Sequence, residues 1–222
     1  MIFEALQIPL ATGLLVMAAD PVKCVPTSAP QIYVKPKALP TKYNHRSTIK
    51  ELTKRGTDTI SPYPRHALTQ TGGITASKIE LQTNLQFQHQ TYPSLEIGCV
   101  YFDTINVTIQ LDPTIYIAKD YKKRSCRYKE VLQHEKKHVR VDKEVLNKYA
   151  RKIGEALRLS INNAPGRGPY PLARMESIQS DMQEYVSSVI KTQQSLMEEE
   201  RFRAQQNVDT LEEYERIREA CD

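Results

Sequence analysis

No two of the four cysteines are spaced as C-x-x-C, which excludes a cysteine-built zinc cluster. Tryptophan is absent, and no stacking-aromatic motif accompanies the basic residues gathered at 119–152. Those residues alternate with acids and apolar positions, the pattern of a solvated helix face, and the net charge is only +5. Nucleic acid is therefore excluded as a partner. Repeats and low-complexity tracts are absent as well. The apolar run at 8–19, I-P-L-A-T-G-L-L-V-M-A-A, is too short to span a bilayer as a helix, and the residues before it lack Lys and Arg. Its length and its small-residue end fit the core of a signal peptide covering 1–19, cleaved after Ala18 or Ala19; a buried N-terminal helix is the alternative.

What is present divides the chain into three. Residues 20–46 form a Pro-rich arm with one short strand at 31–34. Residues 47–222 form a single domain, which opens with a short helix capped by Ser47 and ended by Gly56. From Ile79 to His89 nearly every odd position is apolar and every even one polar, the period of a half-buried strand. A second alternating run carries Cys99, Tyr101, Ile105, Val107, Ile109 and Leu111 on one parity. The two runs are expected to pair antiparallel.

The period then changes. Residues 126–160 hold no proline and one glycine, with apolar positions at the 3.6-residue helical repeat. The run N-N-A-P-G-R-G-P-Y-P at 162–171 ends that helix. A second helix follows to about residue 206, with an apolar stripe through Met175, Ile178, Met182, Tyr185, Val189 and Leu196, and a short tail helix closes the chain. The fold class is therefore α+β: a small antiparallel sheet followed by a long helical hairpin, 126–206. The cysteine count permits two disulfides in an exported chain, and Cys99 with Cys126, then Cys24 with Cys221, is the expected pairing.

The chemistry concentrates at H-E-K-K-H, residues 134–138. Residues four apart on a helix share a face, so His134 and His138 can present two imidazoles to one ion. Glu135 then stands beside the metal, positioned as the general base that takes a proton from water. These two histidines continue the inward stripe through Val141 and Val145, whereas Lys136, Lys137 and Arg140 place the back of the helix in solvent. The competing reading is a basic helix whose histidines are incidental.

Zinc needs a third protein ligand. Asp142 lies too far along the axis from His134, about 12 Å, and is placed instead to accept a hydrogen bond from His138. No H-x-x-G-x-x-H continuation follows, which excludes the metzincin arrangement. If the helical hairpin turns near residue 166, His138 faces about residue 194 and His134 about residue 198. The inward stripe of the second helix then leads to Glu200 as the first choice, with Glu199, Glu176 and Asp209 as alternatives. His89, at the end of a strand with the buried parity, is the candidate oxyanion donor.

The H-E-x-x-H stretch resembles the zincin metallopeptidases, and a downstream Glu ligand would make the chain similar to the gluzincin class. More broadly, the chain resembles a group of bacterial exported proteins predicted to be zinc-dependent peptidases. They share a signal peptide, a cysteine-bearing strand (here C-V-Y-F-D-T-I-N-V-T-I-Q-L from Cys99) and a long H-E-x-x-H helix (here His134, Glu135 and His138). That family's pattern closes with Y-D-x-x-T and then H-G. At 207–214 this chain reads N-V-D-T-L-E-E-Y, which offers Asp209 as a counterpart and no histidine after it. The resemblance implies zinc as cofactor, a peptide or protein substrate, and a periplasmic or secreted location. The second reading of the chain is a non-catalytic cell-envelope protein with a structural or degenerate metal site and a protein partner.

Overall fold

The computed structural model describes residues 22–56, 59–64 and 69–221. The expected signal peptide at 1–19 lies outside them. The described chain runs β1 (Gln31–Ala38), β2 (Lys42–Asn44), α1 (Ile49–Arg55), β3 (Gly73–Tyr92), β4 (Ile97–Ile117), α2 (Cys126–Ser160), β5 (Arg167–Pro171), α3 (Met175–Gln206) and α4 (Leu211–Glu219). Every strand pairs with β4. On one side β3 runs antiparallel to it from Gly73 opposite Ile117 to Tyr92 opposite Ile97. On the other side β1 and β2 lie parallel to it and β5 antiparallel.

The sheet is therefore mixed and not the antiparallel sheet expected. The difference arises in the Pro-rich arm, which enters the sheet alongside β4 over Gln31–Ala38 rather than leading up to it. The strand expected at 31–34 is correspondingly longer. β2 ends opposite Tyr116 and β3 begins opposite Ile117, so the chain passes across that one end of β4 from one side to the other, and α1 lies in the connection. Thr48, not Ser47, caps α1, in a reciprocal capping box with Glu51, and Gly56 ends it at a φ of 73°.

One face of the sheet carries the core. Ile105, Val107, Ile109 and Leu111 of β4 are fully buried or nearly so against Leu146, Ile153 and Leu157 of α2 and Met182 and Val186 of α3. Asp103 has no partner across the β3–β4 ladder, since Gln86 pairs with Thr104 and Phe87 with Phe102. This extra residue inverts the alternation, as a β-bulge does. Val100 and Phe102 thus join the core, while Cys99 and Tyr101, expected on that parity, are buried outside this cluster.

The two long helices are antiparallel, but their register differs from a hairpin turning at residue 166. Ser160 accepts from Tyr185, Tyr149 donates to the Leu196 carbonyl, Asp142 pairs with Arg201, and His138 with Gln205. These pairs are centred on Leu172, because the connection contains β5 and two single turns of 3₁₀ helix in place of a tight loop. The inward stripe of α3 is Ile178, Met182, Val186, Ile190 and Met197, whereas Leu196 is among the exposed apolar residues.

The disulfides join Cys24 to Cys99 and Cys126 to Cys221. The expected Cys99–Cys126 bridge is impossible: Cys99 is the third residue of β4, Cys126 follows its far end, and the strand between them spans about 60 Å. No helix among the described residues is long and apolar enough to cross a membrane. Replacing Cys126 and Cys221 together by serine should cost about 2–4 kcal/mol of stability, read from the shift in denaturant midpoint under non-reducing conditions.

Candidate metal centre

His134 and His138 lie one turn apart on α2 and are 5% and 8% exposed. Their rings meet edge to face, and the two Nε2 atoms are 3.2 Å apart. The third vertex is Asp209, in the short turn between α3 and α4. Its Oδ1 stands 3.1 Å from His134 Nε2 and 3.2 Å from His138 Nε2. Three donor atoms thus form a nearly equilateral triangle, and these buried side chains form a group able to hold a metal ion. Ligands about 2.0–2.2 Å from a tetrahedral ion sit roughly 3.3 Å from one another, so the donor set fits an ion of zinc's size.

The turn that delivers Asp209 is fixed at both ends. Asn207 closes α3, and Thr210 caps α4 by accepting from the Glu213 amide at 3.2 Å. The carboxylate is held through both oxygens: Thr59 Oγ1 donates to Oδ2 at 2.5 Å, and the Tyr214 hydroxyl donates to Oδ1 at 3.2 Å. Burial alone would raise the Asp209 pKa. Hydrogen bonds from His134, His138 and Thr59, with the charge of His138, hold it well below the usual carboxylate range. It is an anion at any working pH.

Gln205 sets the protonation of His138. Its amide nitrogen donates to the His138 carbonyl at 3.1 Å and to Asp142 Oδ1 at 2.6 Å, so its Oε1 faces His138 Nδ1 at 2.5 Å. An acceptor there holds a proton on Nδ1, so a metal displacing the Nε2 proton shared with Asp209 would meet the Nε2 lone pair, the tautomer a metal ligand needs. Asp142, expected to accept directly from His138, acts one step further back: it orients Gln205 and is itself held by Arg201 Nε at 2.7 Å. The other histidine has a looser support. His134 Nδ1 is 3.5 Å from Glu213 Oε1, within ion-pair range but without hydrogen-bond geometry.

Glu135 points away from the helix toward the start of β3. Thr75 Oγ1 lies 2.8 Å from its Oε2 and 2.9 Å from its backbone carbonyl. The strand comes so close that a Cβ on Gly73 would stand 2.6 Å from Glu135 Oε1 and from Val131 Cγ1. Gly73 therefore belongs to the site, a role that a Gly-Gly pair in a loop did not reveal. Burial pushes the Glu135 carboxyl up, and the two histidines and Thr75 only partly oppose it. A cavity of about 660 Å³ touches Glu135, both histidines, Asp209 and Tyr214, and residues 69–75 line it consecutively.

Several expected residues lie elsewhere. Glu200 binds Lys148 Nζ at 2.5 Å and accepts from Tyr149 at 3.1 Å, about one and a half turns of α3 before Gln205. Glu199 pairs with Arg203 on the surface, and Glu176 is exposed in the first turn of α3, at the opposite end of that helix. His89 is exposed and contacts Gln179 at 3.1 Å, at the other end of β3 from Thr75. Tyr214, absent from the sequence reading, stands where His89 was expected. Its ring packs on His134 and on Tyr63, and burial together with Asp209 raises its pKa above the usual phenol value. The signal available for it was the spacing D-T-L-E-E-Y, in which Asp209 and Tyr214 stand five apart across a capped helix start.

No protein-family profile, curated protein or solved structure matches the chain.

Glu213 links the tail to α2 by Lys137 at 2.6 Å and is paired with Arg216. Although burial opposes it, these partners lower its pKa to about 2. A depressed carboxyl stabilises the folded state above its unfolded pKa of about 4.3 and loses that contribution as the pH falls through the folded value. Glu213→Gln should therefore be less stable than the native chain at pH 7, and the gap between their melting temperatures should close as the pH falls from about 4 to about 2.

Proposed function

We propose that this chain is an exported, zinc-dependent peptidase in which His134, His138 and Asp209 hold the metal and Glu135 is the general base. The observation that carries the reading is the placement of Glu135: a buried carboxylate in the wall of the same cavity as the His–His–Asp triangle, oriented by Thr75 rather than spent on a cation. A zinc ion at that triangle supplies a Lewis acid that acidifies water and polarises a carbonyl group.

The residues of the chain then divide the remaining work. Glu135, with its proton affinity raised by burial, accepts a proton from water at Oε1, since Oε2 is already engaged by Thr75. Tyr214 remains a protonated phenol and can turn its hydroxyl from Asp209 toward a developing oxyanion. Gln205, backed by Asp142 and Arg201, keeps the His138 ring in its ligand tautomer. A peptide is favoured as substrate by the wall at 69–75. There β3 begins, and among the described residues its backbone ladder pairs with β4 alone, leaving its other backbone edge for an extended chain. The two disulfides support export to the periplasm or beyond, since such bonds persist in oxidising compartments.

Purified protein should carry about one zinc per chain by elemental analysis, and His138→Ala and Asp209→Ala should lose it. Glu200→Ala should keep it, because Glu200 serves Lys148 and Tyr149. Glu135→Gln should retain zinc while peptide hydrolysis falls by at least about a hundredfold. Zinc binding with identical turnover in Glu135→Gln would leave a structural metal site and overturn the enzymatic reading. Tyr214→Phe should lower kcat by about a hundredfold with KM and zinc content little changed.

A further inference from the structure

The longest unguarded feature of the molecule is the outer edge of β3. This strand has twenty residues, and among the described residues its ladder is satisfied on one side only. Natural sheets protect such edges with proline, charge or short length. Residues 81–88, L-Q-T-N-L-Q-F-Q, contain neither proline nor a charged side chain.

The core behind this edge is also open. Leu111, Ile109 and Ile105 of β4 are fully buried, yet the β3 residues directly opposite them, Ile79, Leu81 and Leu85, remain only partly covered. A further strand laid along β3 would complete their burial, and its composition can be read from the edge itself. About Thr83 the sequence I-E-L-Q-T-N-L-Q-F is a near-palindrome of chemistry: Leu81 mirrors Leu85, Gln82 mirrors Asn84, and Ile79 mirrors Phe87. The charged residues mirror neutral ones, Glu80 against Gln86 and Lys78 against Gln88, so no like charges oppose each other. Symmetric antiparallel pairing demands this self-complementarity, because residue i meets residue j and j meets i.

We propose that two copies of this chain associate edge to edge through residues 79–87 of β3, antiparallel about Thr83, to form one continuous ten-stranded sheet. Apolar side chains then meet on the core face and amides form a ladder on the other. Thr75 lies eight residues from the axis, about 27 Å along the strand and beyond the paired segment 79–87; were the pairing to continue, Thr91 of the second copy would stand opposite it. The proposal does not depend on the peptidase reading.

Sedimentation velocity of the full chain between about 1 and 100 µM should show a monomer–dimer equilibrium, in the range expected of a small specific interface. Thr83 is exposed, and Thr83→Lys places two positive charges on the axis; it should be monomeric throughout, with an unchanged circular dichroism spectrum and melting temperature. A short thiol-specific crosslinker should join Thr83→Cys into a covalent dimer and leave Gln90→Cys unlinked, since the latter pair would stand about 45 Å apart. A native chain monomeric at every concentration, a dimer that survives Thr83→Lys, or equal crosslinking at both positions would overturn the proposal.

Discussion

Gln205 is the point on which the centre depends. One amide group is shared among the Nδ1 of His138, the carbonyl of the same residue and the carboxylate of Asp142, all within 3.1 Å. These contacts lock the register of α3 on α2 at the last turn of α3. Because Asp209 follows four residues later, the same register decides whether a carboxylate reaches the two histidines. A slip by one turn would carry Asp209 about 5 Å along α2 and dissolve the triangle. The packing of Met182, Val186 and Met197 beneath fixes the helices in bulk, but the buried amide selects one alignment among those that the apolar stripe would tolerate.

The centre also separates two acids by environment. Asp209 is surrounded by donors, and its negative charge is stabilised; Glu135, equally buried, has one hydroxyl and the start of a strand, and its charge is penalised. A ligand should be ionised and stay so, while a base should be willing to take up a proton. Sequence neighbours could not supply this difference. It comes from the capped turn at 207–210 on one side and from Gly73 on the other, where the missing side chain admits the Glu135 carboxylate.

Much of this was legible in the chain. The period-two runs delivered the β3–β4 pair, and the 3.6-residue run delivered α2 with His134, Glu135 and His138 on its buried side. The bulge at Asp103 was not legible, since one unpaired residue leaves the composition of a strand unchanged while inverting which side chains face the core. Glu200, put first as the third ligand, lies away from the histidines while Asp209, among the alternatives, joins them, for two connected reasons. Tyr185, Val189 and Leu196 lie beside the true stripe, so following them led to Glu199 and Glu200 instead of Arg201 and Gln205. The connection between the helices was read as a tight turn, whereas its glycines and prolines build β5 on the edge of β4 and move the centre of the helix pair to Leu172. Long-range pairing of that kind, like the parallel contact of β1 with β4, has no local signature.

The disulfides have a consequence in terms of covalent topology. The Cys126–Cys221 bond encloses His134, Glu135, His138, Gln205, Asp209 and Tyr214 in one ring, and the Cys24–Cys99 bond encloses Thr59, Gly73 and Thr75 in another. Every residue that builds the centre therefore belongs to a closed loop of chain. A single backbone cut in the exposed connection between α2 and α3 would open the larger ring without releasing a fragment. Both ends of the ligand set would stay tethered, and the two long helices could remain in register across the break.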